Sequence, residues 1–298
     1  MRVATSSISD TIVAQLQLLN SQQAKLQNQV GTGLRISQPE DDPAAMARVL
    51  NLNSESRALT QFTNNANRAL EISQSTFAAL RQVKKVSDRA TEIGTLGTGA
   101  QDPASLQAYA AEINQLLEQA VQLANGRLRN DHLFGGTAVD APPYTVTRNA
   151  AGEIATVAFA GNTDQAAIPL SETSGVSPGA DAATTAGLTG FLNHLVALRD
   201  ALQAGDTAGL TAAQTGLIAT EDVLISALAQ HGAVQLRIEV NQDQQKDRAA
   251  SIGQLVSAET STDLTTTVVK LSQAQTAYQA ALQSASNIMK QSLLDYLR

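Results

Sequence analysis

The side chains best suited to acid–base or metal chemistry are three histidines, His132, His194 and His231. A histidine can act as a general base or bind zinc, but both roles need partner residues at defined spacings. Neither an HExxH nor an HxH spacing connects these three residues. The pattern therefore predicts packing or surface roles for them.

Two short segments could instead bind an ion or a phosphate group. Glu40-Asp41-Asp42 could ligate a hard cation, but an Asp directly before Pro43 also fits a helix cap followed by proline at the first helical position. The glycine-rich segment 94–99 lacks the Lys-Ser/Thr pair and the preceding strand of a phosphate loop. We interpret the first as a turn with a helix cap and the second as a linker between helices. With no G-x-S-x-G motif either, the sequence predicts no enzyme, no cofactor and no metal site.

The composition of the 298 residues favours long helices over a compact enzyme core. Aromatic residues make up 3% of the chain and Trp is absent, whereas small and aliphatic residues are abundant. The net charge of −7 without a basic block argues against nucleic-acid binding. The absence of cysteine excludes disulfides, thiolate metal sites and a Cys nucleophile. No apolar run reaches the ~20 residues of a membrane helix, and residues 1–7 lack the apolar core of a cleavable signal peptide.

The N-terminal segment carries a coiled-coil pattern. Apolar residues recur at steps of four, three, seven and four, with Gln23 in the remaining position: Ile12, Leu16, Leu19, Leu26 and Val30. This predicts a helix over about residues 8–30, which would be about 35 Å long.

The C-terminal segment shows a second seam of the same kind. Steps of four and three connect Leu264, Val268, Leu271, Gln275, Tyr278, Leu282, Ala285 and Met289. Two such seams at opposite ends of one chain predict an antiparallel pair of helices.

Both terminal segments are almost free of charge. Lys25 is the only charged residue between Thr11 and Leu34, and Lys270 is the only one between Leu264 and Met289. A solvated coiled coil normally carries Glu and Lys on its outer positions. One interpretation is a polar, weakly structured tail. The other, which we favour, is that the outer faces also become buried in an assembly, since uncharged polar side chains can be buried when hydrogen-bonded.

The centre of the chain predicts a helical body interrupted by a β-rich insert. Helical patterns run from Pro43 to about Ile93, from Leu106 to Leu123 and from Leu217 to Asp247, with a short helix over 191–202. Residues 144–147 and 154–159 flank Asn149-Ala150-Ala151-Gly152 and predict a β-hairpin, followed by a connector over 174–190. The expected fold is mainly α with a small β insert. The expected divisions are 1–42, 43–135, 136–190, 191–250 and 251–298.

Two motifs resemble those of the bacterial flagellin family. Residues 33–45 are similar to the family segment after the first helix, with matches at Arg35, Asp41, Asp42, Pro43 and Ala44. Residues 130–137 resemble the block that closes the first half of the family's helical body, with His132 where Tyr is more usual. The last 45 residues are similar as well, so the resemblance covers both termini and the body.

Within the family, two features resemble the hook-associated junction proteins. These are the ending Ser292-Leu293-Leu294-Asp295-Tyr296-Leu297 and the segment 136–144 that leads into the insert. Residues 228–237 depart from the family pattern. A short filament flagellin therefore stays open as the alternative.

The resemblance implies a structural subunit at the hook–filament junction of the extracellular flagellum, exported unfolded through the flagellar type III apparatus. Implied partners are further copies in a ring, the first hook-associated protein, flagellin and a cytoplasmic export chaperone, with no nucleic acid and no membrane insertion. The apolar residues of the two terminal seams are the expected assembly interface: Ile12, Leu16, Leu19, Leu26, Val30, Leu264, Val268, Leu271, Tyr278, Leu282 and Met289.

Two other classes of protein fit parts of the pattern. A coiled-coil signalling protein would also carry heptads at both ends, but it should lack a β insert and carry more surface Glu and Lys. A secreted enzyme would need a polar constellation that the sequence does not contain.

Overall fold

A computed structural model describes residues 2–100 and 102–296, and the side chains of residues 10–100 and 102–287. Its helices are α1 (Arg2–Thr32), α2 (Pro43–Gly99), α3 (Pro103–Ala124), α4 (Ala182–Ala204), α5 (Thr207–Thr260) and α6 (Leu264–Tyr296). Its strands are β1 (Arg127–Leu128), β2 (Asp131–His132), β3 (Tyr144–Arg148), β4 (Ile154–Phe159), β5 (Ile168–Pro169) and β6 (Gly175–Val176). This confirms the mainly α fold with a small β insert.

The contacts divide the chain into two units. The terminal unit contains residues 1–57 and 248–298, and the body unit contains residues 58–247. The division falls inside α2 and inside α5, so neither helix belongs to one unit alone. The five-part division expected from the sequence stays a prediction.

The main core of the body unit is built from α2, α3, α4 and α5. Its fully buried side chains include Leu80, Ile113, Leu117, Phe191 and Leu224. Leu106, Tyr109 and Leu123 of α3 and Leu228 of α5 pack against this core. A second, smaller cluster joins Ala66 and Ala69 of α2 to Leu170, Val176 and Ile238.

The expected break at residues 94–99 is wrong, because α2 continues to Gly99. Gly94 and Gly97 are buried in the helix. A Cβ atom on Gly97 would lie 2.6 Å from Leu202 Cδ2, and one on Gly94 would lie 3.0 Å from the Gln214 side chain. The glycines therefore let α4 and α5 approach α2 closely, and this packing outweighs the roughly 1 kcal/mol that glycine costs inside a helix.

Two further boundaries differ from the expectation. α4 begins at Ala182, inside the expected connector, because Asp181 caps it by accepting a hydrogen bond from Thr184 N at 2.8 Å. α5 extends at both ends beyond the predicted 217–247.

The predicted hairpin is confirmed. β3 and β4 are antiparallel with Tyr144 opposite Phe159 and Val146 opposite Val157, and Gly152 lies in the turn with a positive φ of 83°. β1–β2 and β5–β6 are short antiparallel pairs.

A buried arginine ties the hairpin to the body. Arg199 of α4 is 1% exposed, and its guanidinium donates to Ile154 O at 2.6 Å, to Asn114 Oδ1 at 3.3 Å and to Asp200 Oδ1 at 2.6 Å. A buried charge is tolerated when hydrogen bonds and an opposite charge compensate its desolvation. No sequence pattern singled out this residue.

Two left-handed glycines provide a matched test of the insert's packing. Gly136 (φ 67°) faces the backbone carbonyl of Asn162 where a Cβ would clash, whereas nothing lies within 4 Å of a Cβ on Gly152. Gly152→Ala should lower the free energy of unfolding by about 1 kcal/mol through backbone strain alone. Gly136→Ala should lower it by about 3 kcal/mol, because the clash adds to the strain. Urea denaturation measures both, and equal losses would contradict this account of Gly136.

Candidate functional site

The two terminal helices pack against each other as an antiparallel pair. α1 and α6 are in contact. Gly33 directly follows α1 and Thr262 precedes α6, and Thr262 N donates to Gly33 O at 2.9 Å. The end of α1 therefore lies beside the start of α6, which confirms the predicted antiparallel pairing.

On α1 the covered stripe is the predicted one. The expected seam residues, together with Gln23, are half-buried while most of their neighbours are exposed. The residues are Ile12, Leu16, Leu19, Leu26 and Val30.

On α6 the predicted seam is only half right. Leu271, Tyr278 and Ala285 face inward, but the alternate positions are Thr267, Ala274 and Ala281, one residue earlier than expected. Small side chains at these positions leave room for the leucines of α1, as interdigitating packing requires. Periodicity alone had predicted the larger side chains that follow each of these positions, namely Val268, Gln275 and Leu282.

The displaced residues lie exposed along the edge of the inner face of α6, spread over the length of the helix. Leu264, Val268 and Leu282 are 50%, 49% and 44% exposed. They share the α6 surface with uncharged polar side chains such as Gln275. The side chain of Met289, which continues this spacing, lies outside the described residues. We name Leu264, Val268 and Leu282 the outer α6 stripe.

A short backbone ladder joins the segments that connect the terminal helices to α2 and α5. Leu34 and Ser261 form an antiparallel bridge, and Arg35 N donates to Thr260 O at 2.7 Å. We name this junction, residues 33–42 with 259–263, the clasp.

Arg35 and Arg48 both bind Glu259 at the clasp. Arg48 forms a bidentate pair with Glu259, with Nε to Oε1 at 2.8 Å and Nη2 to Oε2 at 2.9 Å. Arg35 Nη2 donates to Glu259 O, one of the free carbonyls at the end of α5, at 2.9 Å. In the sequence, Arg35 stood out only as a motif residue. In the structure it caps the C-terminal end of α5, and 224 positions separate it from Glu259. Arg48 and Glu259 carried no sequence signal, because 211 positions separate them.

The acidic pair of the motif shapes the turn before α2. Asp41 accepts hydrogen bonds from Ser37 N and Gln38 N and pairs with Lys25 Nζ at 2.7 Å. Asp42 accepts from Ala45 N at 3.0 Å, so it caps the helix that begins at Pro43, as predicted. The two carboxylates therefore accept hydrogen bonds from backbone amides. Lys25, the only charged residue between Thr11 and Leu34, forms an ion pair with this turn.

These contacts lower the pKa values of three carboxyl groups. Hydrogen bonding from Arg48 lowers the pKa of Glu259, and bonding from Lys25 and from the Ser37 and Gln38 amides lowers that of Asp41. The Ala45 amide, with Arg35, lowers the pKa of Asp42. Each group thus stabilises the fold when ionised, and that stabilisation is lost as the pH falls below about 4, the ordinary range of these groups.

The histidines have packing roles. His132 and His231 are 4% exposed. Arg127 Nε donates to His132 Nε2 at 3.0 Å, and His132 Nδ1 lies 3.0 Å from Asn125 O. Burial lowers the pKa of His231, whose Nδ1 lies 3.5 Å from Ser73 Oγ.

Within residues 2–100 and 102–296, no cluster of three or more His, Asp or Glu residues could hold a metal ion. In the same ranges, no helix combines the length and the apolar character needed to cross a bilayer.

The clasp predicts an acid-sensitive terminal unit. Glu259→Gln removes the ionised partner of Arg48 and should reduce the protection of the Arg35 and Thr262 amides at pH 7. In the wild type this protection should fall as the pH drops below about 4, and in the variant the drop should be smaller. Hydrogen exchange measures both. Glu40→Gln, in the same segment and without an ion pair among the described residues, is the control; an equal effect of both changes would argue against the clasp.

Comparison with known proteins gives matches to flagellar proteins. Residues 3–137 match the family model of the bacterial flagellin N-terminal helical region. The phase 1 flagellin of Salmonella naestved and the flagellin of Salmonella budapest are 32% identical over 111 residues, which is 36% of this chain. The match spans only 22% of the length of those flagellins.

Solved structures share the fold over most of the chain. A flagellar hook-associated protein from Vibrio parahaemolyticus has a TM-score of 0.66 at 17% identity, covering 74% of this chain and 100% of that one. For FlgL from Bacillus cereus the TM-score is 0.60 at 18% identity, with 70% and 99% covered. For the flagellar junction protein FlgL from Legionella pneumophila it is 0.54 at 11% identity, with 72% and 100% covered. Residues 3–137 are therefore similar to the flagellin N-terminal helical region, and the larger part of the chain shares the fold of these hook-associated protein structures.

Proposed function

We propose that this chain is a structural subunit of the bacterial flagellum, located at the junction between hook and filament, and not an enzyme. The observation that carries the proposal is the outer α6 stripe on a nearly uncharged helix pair, in a chain whose fold is that of hook-associated proteins. Exposed apolar side chains among uncharged neighbours can be covered in an assembly without the burial of a charge.

The outer stripe can supply useful association energy. Full burial of one aliphatic side chain stabilises by about 1.5–3 kcal/mol, so covering the exposed half of each would add roughly 1 kcal/mol. Three such residues per copy, repeated around a ring, favour cooperative assembly over a stable isolated interface. The uncharged side chains between them can enter the interface without the cost of burying a charge.

The remaining parts of the proposal concern partners and export. The chain would self-associate in a ring between the first hook-associated protein and flagellin. It would leave the cell unfolded through the flagellar type III apparatus, with a cytoplasmic chaperone covering the apolar C-terminal helix before export. Such an unfolded passage suits a chain without cysteine. The body would form the outer wall and the β insert would face outward, with the division into 1–42, 43–135, 136–190, 191–250 and 251–298.

A short filament flagellin is the second candidate. The sequence matches to flagellins favour this candidate. The junction protein FlgL from Legionella pneumophila, in contrast, is similar in fold at only 11% identity. The β3–β4 hairpin, in contrast, counts against a coiled-coil signalling protein.

Substitutions on the two faces of α6 should have different consequences. Leu264→Ser with Val268→Ser and Leu282→Ser should leave the monomer folded but abolish incorporation into flagella, since these side chains are exposed in the isolated chain. The matched control is Leu271→Ser, which lies on the inner face and should loosen the α1–α6 pair itself. Circular dichroism and incorporation assays separate the two effects, and normal incorporation of the triple variant would refute a role of the outer stripe in assembly.

A deletion strain distinguishes the two candidate functions. Without a junction subunit, filament subunits should be secreted into the medium without forming filaments, because no platform receives them. Without a sole filament flagellin, those subunits should be missing from cells and medium alike. Immunoblots of both fractions decide between these outcomes, and intact filaments in the deletion strain would exclude both.

A further inference from the structure

The body unit carries a second exposed apolar surface, separate from the terminal helices. Ile218, Ile225, Leu236 and Val240 of α5 are 54%, 47%, 62% and 49% exposed. At 100° per residue they fall within about 60° of each other around the helix, on the side that points away from the buried stripe of the same helix. We name these four residues the outer α5 face.

The charges on this face are mainly acidic, with the exposed Arg237 and Lys246 at its edges. Asp222, Glu239 and Asp243 are exposed among the four apolar residues and make no ion pair within the ranges 2–100 and 102–296. Two copies that met through this same face would bring these carboxylates together, which is unfavourable. The face therefore fits a partner surface that is basic and contains an apolar recess.

The same unit contains such a surface between α2 and α3. A groove of about 320 Å³ is lined by Val86 and Leu116, with Arg81 and Lys85 on one side and the exposed amides of Gln82 and Gln119 at its rim. Arg81 and Lys85 also make no ion pair among the described residues. We name it the α2–α3 groove.

The spacings of the two surfaces agree. Glu239 and Asp243 are four residues apart on α5, and Arg81 and Lys85 are four residues apart on α2, so each pair is separated by about 6 Å along its helix. Leu236 and Val240 lie on the same turns as the two carboxylates. When the charges pair, these aliphatic side chains face a recess whose floor is apolar.

We propose that the outer α5 face of one copy docks in the α2–α3 groove of a second copy. The contact joins different surfaces of the two copies and so leaves one free face and one free groove at the ends of each dimer. Contacts of this head-to-tail kind form rings when the rotation closes and helical filaments when it does not. The inference rests on the proposed self-association and assigns it a contact outside the terminal helices.

Directed cross-linking tests the contact, because the natural chain has no cysteine. Leu236→Cys and Gln82→Cys are purified as separate full-length variants, mixed at a concentration at which the wild type self-associates, and oxidised. A disulfide-linked dimer should form in the mixture and should be missing from either variant alone. Gln61→Cys, exposed elsewhere on α2, replaces Gln82→Cys in the control mixture and should give no dimer. A Leu236→Cys homodimer, or equal cross-linking with the control, would overturn the proposal.

Charge reversal gives an independent test. Glu239→Lys with Asp243→Lys, and separately Arg81→Glu with Lys85→Glu, should each weaken self-association in sedimentation velocity by roughly tenfold or more. An equimolar mixture of the two double variants should recover association, because the reversed face fits the reversed groove. Unchanged association of both double variants, or no recovery on mixing, would overturn the contact.

The outcomes separate this contact from the proposed function. If deletion of residues 264–298 prevents flagellar assembly while charge reversal has no effect, the junction role stands and the contact fails. If the cross-link forms in a chain that does not restore motility to the deletion strain, the contact stands and the junction role fails.

Discussion

The pairing of two nearly uncharged terminal helices is the constraint on which the terminal unit depends. No ion pair joins α1 to α6 among the described side chains. The pair therefore relies on packing of the α1 leucines against an α6 face on which Leu271 and Tyr278 alternate with small residues. Such a seam allows sliding by a heptad with little penalty. The clasp removes that freedom, because the Leu34–Ser261 bridge and the Arg48–Glu259 pair allow only one alignment of the connecting segments.

The body unit solves a different packing problem. Its helices approach closely where glycine replaces a side chain: a Cβ on Gly187 would lie 2.6 Å from Val223 Cγ1, and a Cβ on Gly97 would lie as close to Leu202. This explains how a chain with 3% aromatic residues still forms a continuous core. The buried guanidinium of Arg199 adds a directional tie, since it must satisfy Ile154 O and Asn114 at once. Close packing and one polar tie together position the hairpin against α3 and α4.

The two exposed apolar surfaces differ in the kind of contact that they can make. The outer α6 stripe has mostly neutral neighbours, so a contact made through it would be governed by burial and would tolerate many alignments. The outer α5 face carries carboxylates, which make contact with a basic groove favourable and contact with itself unfavourable. A subunit with both surfaces would have one contact that fixes no orientation and one that fixes the orientation of its neighbour. Such a combination would suit a closed ring.

The sequence by itself determined the helices, the hairpin, the α1 seam and the cap at Asp42, because each depends on periodicity or on residues within one turn of each other. It also predicted the similarity of residues 3–137 to flagellins, since the motif residues are adjacent in the chain. Only the tertiary structure decided the α6 register, the continuation of α2 through Gly94 and Gly97, and the partners of Arg35, Arg48 and Arg199. The carbonyl partners of Arg199 and Arg35 lie 45 and 224 positions away, and α1 and α6 are farther apart still. Local spacing carries no information about the size of a side chain that faces it from such a distance.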